Sequence, residues 1–214
     1  MAKGIIPPQE KGAHNGVSKV VELPTREEAL AVLSMAKRKL LDINNWDKLA
    51  GTGSATFQLT DIDGSPLYNQ IPEVGQLIRI ELPGPGNPSG NGYDWVVVEA
   101  FDEEVDVDRD QEIYSMRVRP IPNPLNPKEE SAHFYTSDAT ASFLITRFQN
   151  KVTAAEKGRN EVLNKNTDSV VTNARNTFVV FSALLGFSLF QWQIFVDSLL
   201  AGAPEKDNHI VQGI

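Results

Sequence analysis

The sequence contains no cysteine and only three histidines among its 214 residues. Without cysteine, the chain cannot form disulfides, thiol nucleophiles or cysteine-ligated zinc and iron–sulfur centres. His14 and His209 lie close to the ends of the chain, which leaves His133 as the one histidine in its body. Neither the H-E-x-x-H zinc motif nor the G-x-S-x-G serine motif is present. We therefore assign no catalytic residue, metal ligand or cofactor, and leave open whether the protein is an enzyme.

Positive charge is also scarce. Lysine and arginine total 20 against 28 aspartates and glutamates, which gives a net charge of −8 and a pI near 4.9. Nucleic acids and anionic membrane surfaces are recognised through an excess of basic residues, so neither is predicted as a partner. The first residues include a lysine but lack the apolar segment of a secretory signal. These observations predict a cytoplasmic protein.

The longest apolar segment runs from Thr177 to Leu200, and no charged residue occurs between Arg175 and Asp197. Such a segment fits a helix buried in a soluble domain, a membrane span or a helix lying in a membrane interface. On a helix, the following small and polar residues share one narrow stripe: Ser182, Gly186, Gln193 and Asp197. A stripe of this kind favours a buried helix with one edge in water, and Asp168-Ser169 and Gly202 mark its two ends.

The chain before this segment predicts one helix and several strands. Thr25 and Glu28 form a capping-box pattern that begins a helix ending near Leu41. Later segments alternate between apolar and polar residues, as half-buried strands do. We predict strands in the following stretches: Val17–Leu23, Ser54–Thr60, Gly75–Leu82, Tyr93–Phe101, Ile113–Arg119, Ser131–Phe148 and Lys151–Arg159. Tyr93–Phe101 is nearly continuously apolar, as a central strand is, and Ser131–Phe148 contains one or two strands. Trp46 is predicted to lie in a loop, and Asp102–Glu112 to form an acidic hairpin tip.

These elements predict an α+β fold in which a curved antiparallel meander sheet of five to seven strands packs on the long apolar C-terminal helix, with a shorter N-terminal helix. From about Trp46 to Leu200 the order of elements resembles the helix-grip arrangement of the START and Bet v 1 superfamily. The chain differs from that pattern in having one helix before the sheet, without the usual strand and helix pair. We predict a disordered tail over residues 1–16, a single α+β domain over 17–202 and a C-terminal tail over 203–214.

Two loops resemble binding motifs but lack essential residues. Pro83–Gly92 is rich in glycine, yet no Gly-Lys-Ser/Thr follows, and its prolines lack the N–H donors of a phosphate loop. Asp106, Asp108 and Asp110 have the opening spacing of a calcium loop, but Gln111 replaces the required glycine and Arg117 the closing glutamate. Neither loop is predicted to bind a ligand.

Arginines at alternating strand positions allow two interpretations. Arg79, Arg117, Arg119 and Arg147 could form a cationic floor on the inner face of the sheet, able to pair with a carboxylate or phosphate. Alternatively they lie on the outer face and pair with Glu81, Glu99 and Glu112 on neighbouring strands.

Aromatic residues occur both on the predicted C-terminal helix and on the strands, as in an apolar ligand pocket. We therefore predict a cavity between sheet and helix that binds a small hydrophobic or amphipathic molecule. The candidate ligand-binding residues are Trp46, Trp95, Tyr114, Arg117, His133, Phe187 and Trp192. One alternative is a structural or interaction protein that forms homo-oligomers through the helix, and another is a protein anchored in a membrane by residues 177–200. A third is an enzyme that uses the same cavity with arginine and His133 as polar groups.

Overall fold

The computed structural model describes residues 4–83, 90–126, 133–163 and 189–203. Within these residues seven strands form one antiparallel sheet in the order β1-β7-β6-β5-β4-β3-β2. The strands are β1 Ala13–Glu22, β2 Thr56–Thr60, β3 Leu77–Glu81, β4 Asp94–Asp106, β5 Gln111–Pro120, β6 Thr140–Phe148 and β7 Lys151–Glu161. Strands β2 to β7 form a meander, and β1 pairs with β7 at the edge. The predicted α+β class and antiparallel meander are confirmed.

The helices of the described residues cover one face of this sheet, which we call the inner face. Helix α1 spans Arg26–Leu41 and begins with the predicted capping box, since Thr25 accepts from the Glu28 backbone and Glu28 accepts from the Thr25 N–H. A 3₁₀ turn, Ile43–Asn45, leads into the short helix α2, Trp46–Ala50. Residues 189–200 form a further helix, α3. Together these helices and the sheet enclose one apolar core, which is the helix-grip arrangement.

Helix α3 is the described part of the predicted apolar helix. Residues 177–188 and the predicted start at Asp168-Ser169 lie outside the described residues. Phe195, Val196 and Leu199 are completely buried, whereas Asp197 is exposed and accepts a hydrogen bond from Gln193. The polar edge predicted for this part of the helix is therefore present. Among the described residues no helix has both the length and the apolar character that crossing a bilayer requires.

A lysine joins the two long helices. The Lys39 ammonium, in the last turn of α1, donates to the Ser198 and Ala201 carbonyls at 2.8 and 2.9 Å. The last carbonyls of a helix lack partners within the helix, and a cation is favoured there by the helix dipole. Lys39 therefore fixes the end of α3 against α1.

Three details differ from the sequence-based expectations. Trp46 begins α2 and is buried, so its placement in a loop was wrong; its indole N–H donates to the Leu40 carbonyl at 3.0 Å. The acidic segment Asp102–Glu112 is mostly strand, because β4 continues to Asp106 and pairs with β5 down to Gln111. Only residues 107–110 form the turn.

The third difference concerns the N-terminus. Strand β1 begins at Ala13, within the stretch predicted as a disordered tail, and residues 4–12 lie against the sheet. Ile5 is buried and its carbonyl accepts from the Ser142 hydroxyl at 2.8 Å. This hydrogen bond pairs a backbone carbonyl that would be bound by water in a disordered tail. The division into a domain over 17–202 and a tail over 203–214 stays a prediction.

The arginines do not form a cationic floor. Arg117 and Arg119 both bind the Glu99 carboxylate, at 2.7 and 3.0 Å. Arg147 is buried at the end of the sheet that carries the β4–β5 and β6–β7 turns, where it contacts Asp110 and Glu112. Arg79 stacks on the Tyr93 ring. The second interpretation, pairing with acids on the outer face, describes Arg117 and Arg119. Arg147 also pairs with a neighbouring strand, but it lies opposite Val152 and therefore on the inner face.

Candidate functional site

A cavity of ≈ 90 Å³ lies between the inner face of the sheet and α3, at the end of the sheet opposite the β4–β5 turn. All seven strands contribute to its lining, together with α2, α3 and residues 133–135. Water occupies about 30 Å³ per molecule in the liquid, so the space is about three waters in size. It is smaller than the ~300–1,000 Å³ typical of sites for drug-sized ligands.

One side of the cavity is aromatic. The rings that line it are those of Trp46, Phe57, Phe143 and Trp192. The Phe195 ring packs against Trp46. The ring centres of Trp46 and Phe143 are 5.1 Å apart, and those of Phe57 and Trp192 are 6.0 Å apart. These tilted and edge-on arrangements are the ones aromatic rings prefer. Gln191 fixes α3 to this wall, because its side-chain oxygen accepts from the Ala55 N–H at 3.0 Å.

The other side of the cavity is acidic. We call the residues Asn15, Asp94, His133, Tyr135, Glu156 and Glu161 the acidic end. Glu156 lies directly opposite Phe143 in the β6–β7 register and belongs to the same inward row as Val152 and Ala154. Its side chain is therefore directed from the apolar row towards the cavity.

Glu156 is a buried acid. The residue is 2% exposed, and its Oε2 atom has no hydrogen-bond partner among the described residues. Burial raises the pKa of the Glu156 carboxyl to about 8, and the Glu161 carboxyl adds to the rise, while Lys157 and Arg159 oppose it. Burial disfavours the charged form because the low-dielectric interior solvates it poorly. Glu156 is thus mainly protonated at neutral pH.

Glu161 reaches the cavity through a local break in strand alternation. Asn160 has a left-handed backbone, φ 55°, and the β1–β7 register shifts between Ala13 and Asn15. This shift returns the Glu161 side chain to the face of Glu156. Gly158 leaves the necessary room, since a Cβ atom at this position would lie 2.2 Å from the Glu161 carboxylate.

The Glu161 carboxylate is held by two neighbours. The Asn15 amide donates to its two oxygens at 2.9 and 2.7 Å, and the Tyr135 side chain also hydrogen-bonds to it. Burial raises the pKa of Glu161, although these two bonds and Arg159 oppose that rise. Burial likewise raises the pKa of Tyr135, so the phenol keeps its proton and serves as the donor.

The N-terminal segment fixes the unusual conformation of Asn160. The Asn160 amide oxygen accepts from the Glu10 N–H at 2.7 Å, and its amide nitrogen donates to the Pro8 carbonyl at 3.1 Å. The Asn160 backbone N–H donates to the Gln9 side chain at 3.0 Å. Residues 8–11 therefore support the position of Glu161 although they do not line the cavity.

His133 is a neutral member of the acidic end. Burial lowers the pKa of its imidazole to about 3. Its Nδ1 atom accepts from the Tyr135 N–H at 3.0 Å, and its ring stacks on Phe134 at 4.3 Å between centres. An imidazole in this state accepts or donates hydrogen bonds but does not carry positive charge at neutral pH.

The structure brings three of the sequence-predicted site residues to the cavity: Trp46, His133 and Trp192. Three others lie elsewhere. Trp95 packs with Leu77 in a separate cluster, the Tyr114 ring lies under the Lys37 ammonium at 4.2 Å, and Arg117 pairs with Glu99. Phe187 lies outside the described residues. A ligand-binding role for any of the seven stays a prediction.

Sequence reasoning missed the two glutamates of β7. A signal for Glu156 was present, because a carboxylate interrupts the alternating small and apolar row Val152, Ala154. Glu161 carried no such signal, since its direction depends on the left-handed Asn160. Within the described residues no group of three or more histidines and acids is arranged to hold a metal ion.

No protein-family model and no curated protein sequence matches this chain. Solved structures do resemble it. A hypothetical protein from Helicobacter pylori has a TM-score of 0.48 at 13% identity, over 92% of this chain and 91% of that chain. A truncated norcoclaurine synthase from Thalictrum flavum has a TM-score of 0.36 at 10% identity, over 91% and 96%. A START superfamily protein from Mycobacterium smegmatis has 0.32 at 12%, over 87% and 99%. Likenesses this distant carry no information on ligand or activity.

Proposed function

We propose that this protein binds a small amphipathic molecule, or the end group of a larger one, in the cavity between its sheet and α3. The observation that carries the proposal is the Glu156 Oε2 atom, which is buried at the cavity without a partner among the described residues. A buried polar atom without a hydrogen bond costs about 1–3 kcal/mol. A ligand that supplies the missing hydrogen-bond partner would remove this cost.

The aromatic wall supports the same proposal. Four large rings line a space that contains no described side chain, although close packing is the rule in protein interiors. A ligand with an apolar part against the rings and a polar part at the acidic end would fit both sides. The limited volume indicates a ligand group of only a few non-hydrogen atoms.

Self-association through the C-terminal helix is less well supported by the described residues. Phe195, Val196, Leu199 and Leu200 face the core of their own chain, and Phe190 is the large apolar residue that α3 leaves exposed there. A homo-oligomer therefore stays an alternative that rests on residues outside the described part of the helix. The cytoplasmic location also stays a prediction.

Native mass spectrometry of protein purified without detergent tests the proposal. We expect a bound mass that disappears on denaturation. Ala141 lines the cavity and Ala201 is exposed after α3, so Ala141→Leu should reduce the occupied fraction while Ala201→Leu should not. A bound fraction equal in both variants would place the ligand elsewhere, and a protein without bound mass that also binds no small probe would refute the proposal.

A further inference from the structure

The described lining of the cavity contains acids but no permanent cation. Asp94, Glu156 and Glu161 contribute three carboxyl groups, whereas no lysine or arginine occurs among the described lining residues. His133, the basic side chain in this lining, is neutral because burial opposes its protonation. Acids in a poorly solvated site either keep their protons or require a positive partner.

The carboxyl groups of Glu161 and Glu156 differ in the hydrogen bonds that they accept. Glu161 accepts hydrogen bonds from Asn15 and Tyr135. Glu156 Oε2, on the same face, accepts none from the described residues and is fully enclosed. The Thr140 hydroxyl oxygen, which also lines the cavity, is likewise buried without a hydrogen-bond partner among the described residues. Glu156 is the acid at which a ligand would gain a new interaction, with Glu161 contributing negative charge nearby.

We propose that the acidic end of the cavity binds the ammonium group of a small organic amine, with the Glu156 carboxylate as its direct partner. This inference rests on the proposed function and specifies the class of ligand. An ammonium carries three donors and one positive charge, which suits two acids better than a neutral hydroxyl does. The carbon part of the amine would contact the rings of Phe143 and Trp192.

The position of the aromatic wall supports a cation. Phe143 lies directly across from Glu156 in the strand register, and its ring is 5.1 Å from that of Trp192. Aromatic faces attract ammonium groups within about 6 Å, and the same rings bury attached carbon atoms. A metal ion is a poorer fit, because no described group of three acids and histidines has the arrangement of a metal site.

Amine binding at this site would release a proton. In the free protein Glu156 holds its proton at pH 7; the bound ammonium keeps its own proton, and the Glu156 proton passes to solvent. The titratable and charged groups around Glu156 are Glu161, Lys157 and Arg159 on β7, Asp94 on β4, and His133 and Tyr135 before β6. Strand β1 and α3 contribute the neutral Asn15 and Gln191.

The test compares amines with alcohols of the same shape. Dissociation constants of ethylamine and ethanol, and of n-propylamine and n-propanol, are measured by ligand-observed NMR at pH 7, since molecules of this size suit the cavity. Proton release is measured by calorimetry in buffers of different ionisation enthalpy. We expect each amine to bind at least tenfold more tightly than its alcohol, with release of close to one proton at pH 7 and much less at pH 9. Glu156→Gln should remove the preference, whereas Glu81→Gln, at an exposed position on β3, should leave it unchanged.

The outcomes separate this inference from the proposed function. Equal binding of amines and alcohols, or an amine preference that survives Glu156→Gln, would refute the ammonium site but leave a ligand cavity in place. Binding that releases no proton at pH 7 would likewise refute Glu156 as the partner. If no probe binds and the native mass spectrum shows no ligand, both the ligand-binding function and the ammonium site are refuted.

Discussion

Replacing Glu156 by glutamine should change how the stability of the protein depends on pH. The carboxyl has a pKa of about 8 in the folded chain and close to 4.3 in an unfolded one. Between these values the folded protein binds more protons at this position than the unfolded chain does. The free energy of unfolding therefore falls as pH rises through this window. Glutamine does not titrate and removes this dependence.

The magnitude follows from the width of the window. Each unit of pKa difference corresponds to about 1.4 kcal/mol. Between pH 5 and pH 8 the wild-type protein should lose about 3–4 kcal/mol relative to Glu156→Gln. Almost all of the Glu156 side chain is buried, so screening by solvent does not reduce this value greatly. The variant should consequently be the more stable protein at pH 8.

Urea unfolding followed by tryptophan fluorescence at pH 5, 6, 7 and 8 measures this difference. The three tryptophans, Trp46, Trp95 and Trp192, lie in or against the cores, so their emission should report unfolding. His133 has the opposite effect, because its lowered pKa makes the fold lose stability as pH falls below about 6.5. That effect is present in both proteins and cancels in the difference.

Parallel stability curves for wild type and Glu156→Gln would refute the reasoning, since they would mean that Glu156 titrates alike in both states. Glu81→Gln is the matched control. It makes the same chemical change at an exposed position and should leave the curve of the wild type unchanged. A difference that appears only below pH 4 would also refute it, because it would mean that the pKa of Glu156 is lowered, not raised, in the folded chain.

Three further changes test the fold and its supports by urea or thermal unfolding. Trp46→Ala should cost about 3–5 kcal/mol, because a fully buried indole is removed; Tyr68→Ala, at an exposed ring, should cost much less. Lys39→Met should cost about 1–2 kcal/mol by leaving the last carbonyls of α3 without a donor, and an unchanged midpoint would contradict that role. Deleting residues 1–11 should lower the midpoint and move the Glu161 carboxyl resonance in NMR, since Asn160 loses its partners; an unchanged resonance would show that Asn160 holds its conformation alone.

The sequence was sufficient to predict the class of fold. Alternation of apolar and polar residues indicated most of the strands, a nearly continuous apolar run indicated β4, and the Thr25 capping box located the start of α1. These signals are local, because each depends on residues within one element. The hairpin turn at Gln149-Asn150 is local in the same sense and has a left-handed Gln149. Local conformational preferences of this kind are retained in the folded protein because the tertiary contacts favour the same local conformations.

The site was less predictable because it depends on strand faces. A shift of one residue moves every side chain of a strand to the other face. Tyr114 and Arg117 are three positions apart on β5 and therefore lie on opposite faces, yet both were proposed to line the cavity. In the structure Tyr114 packs against the core, whereas Arg117 forms an ion pair with Glu99. Trp95 illustrates the same problem, since it packs with Leu77 in a cluster apart from the main core.

The N-terminal segment was misjudged for a different physical reason. Its prolines, glycines and mixed charges are typical of disordered tails. Composition does not show, however, that the Asn160 side chain offers hydrogen bonds to the backbone of Pro8, Glu10 and Lys11. Order in this segment comes from residues 150 positions later in the chain, a separation that no local pattern contains.

Glu156 and Glu161 are the strongest evidence that stability alone does not explain this cavity. An alanine or leucine in place of Glu156 would continue the inner row of Val152 and Ala154 without a desolvation penalty. Gly158 and the left-handed Asn160, by contrast, both favour a second carboxylate beside the first. A buried acid and a left-handed asparagine each reduce stability, and here both place carboxylates at the same cavity. Local departures of this kind are typical of functional sites. A ligand that brings positive charge to these two acids would account for their position, and for the unfilled space beside them, by a single interaction.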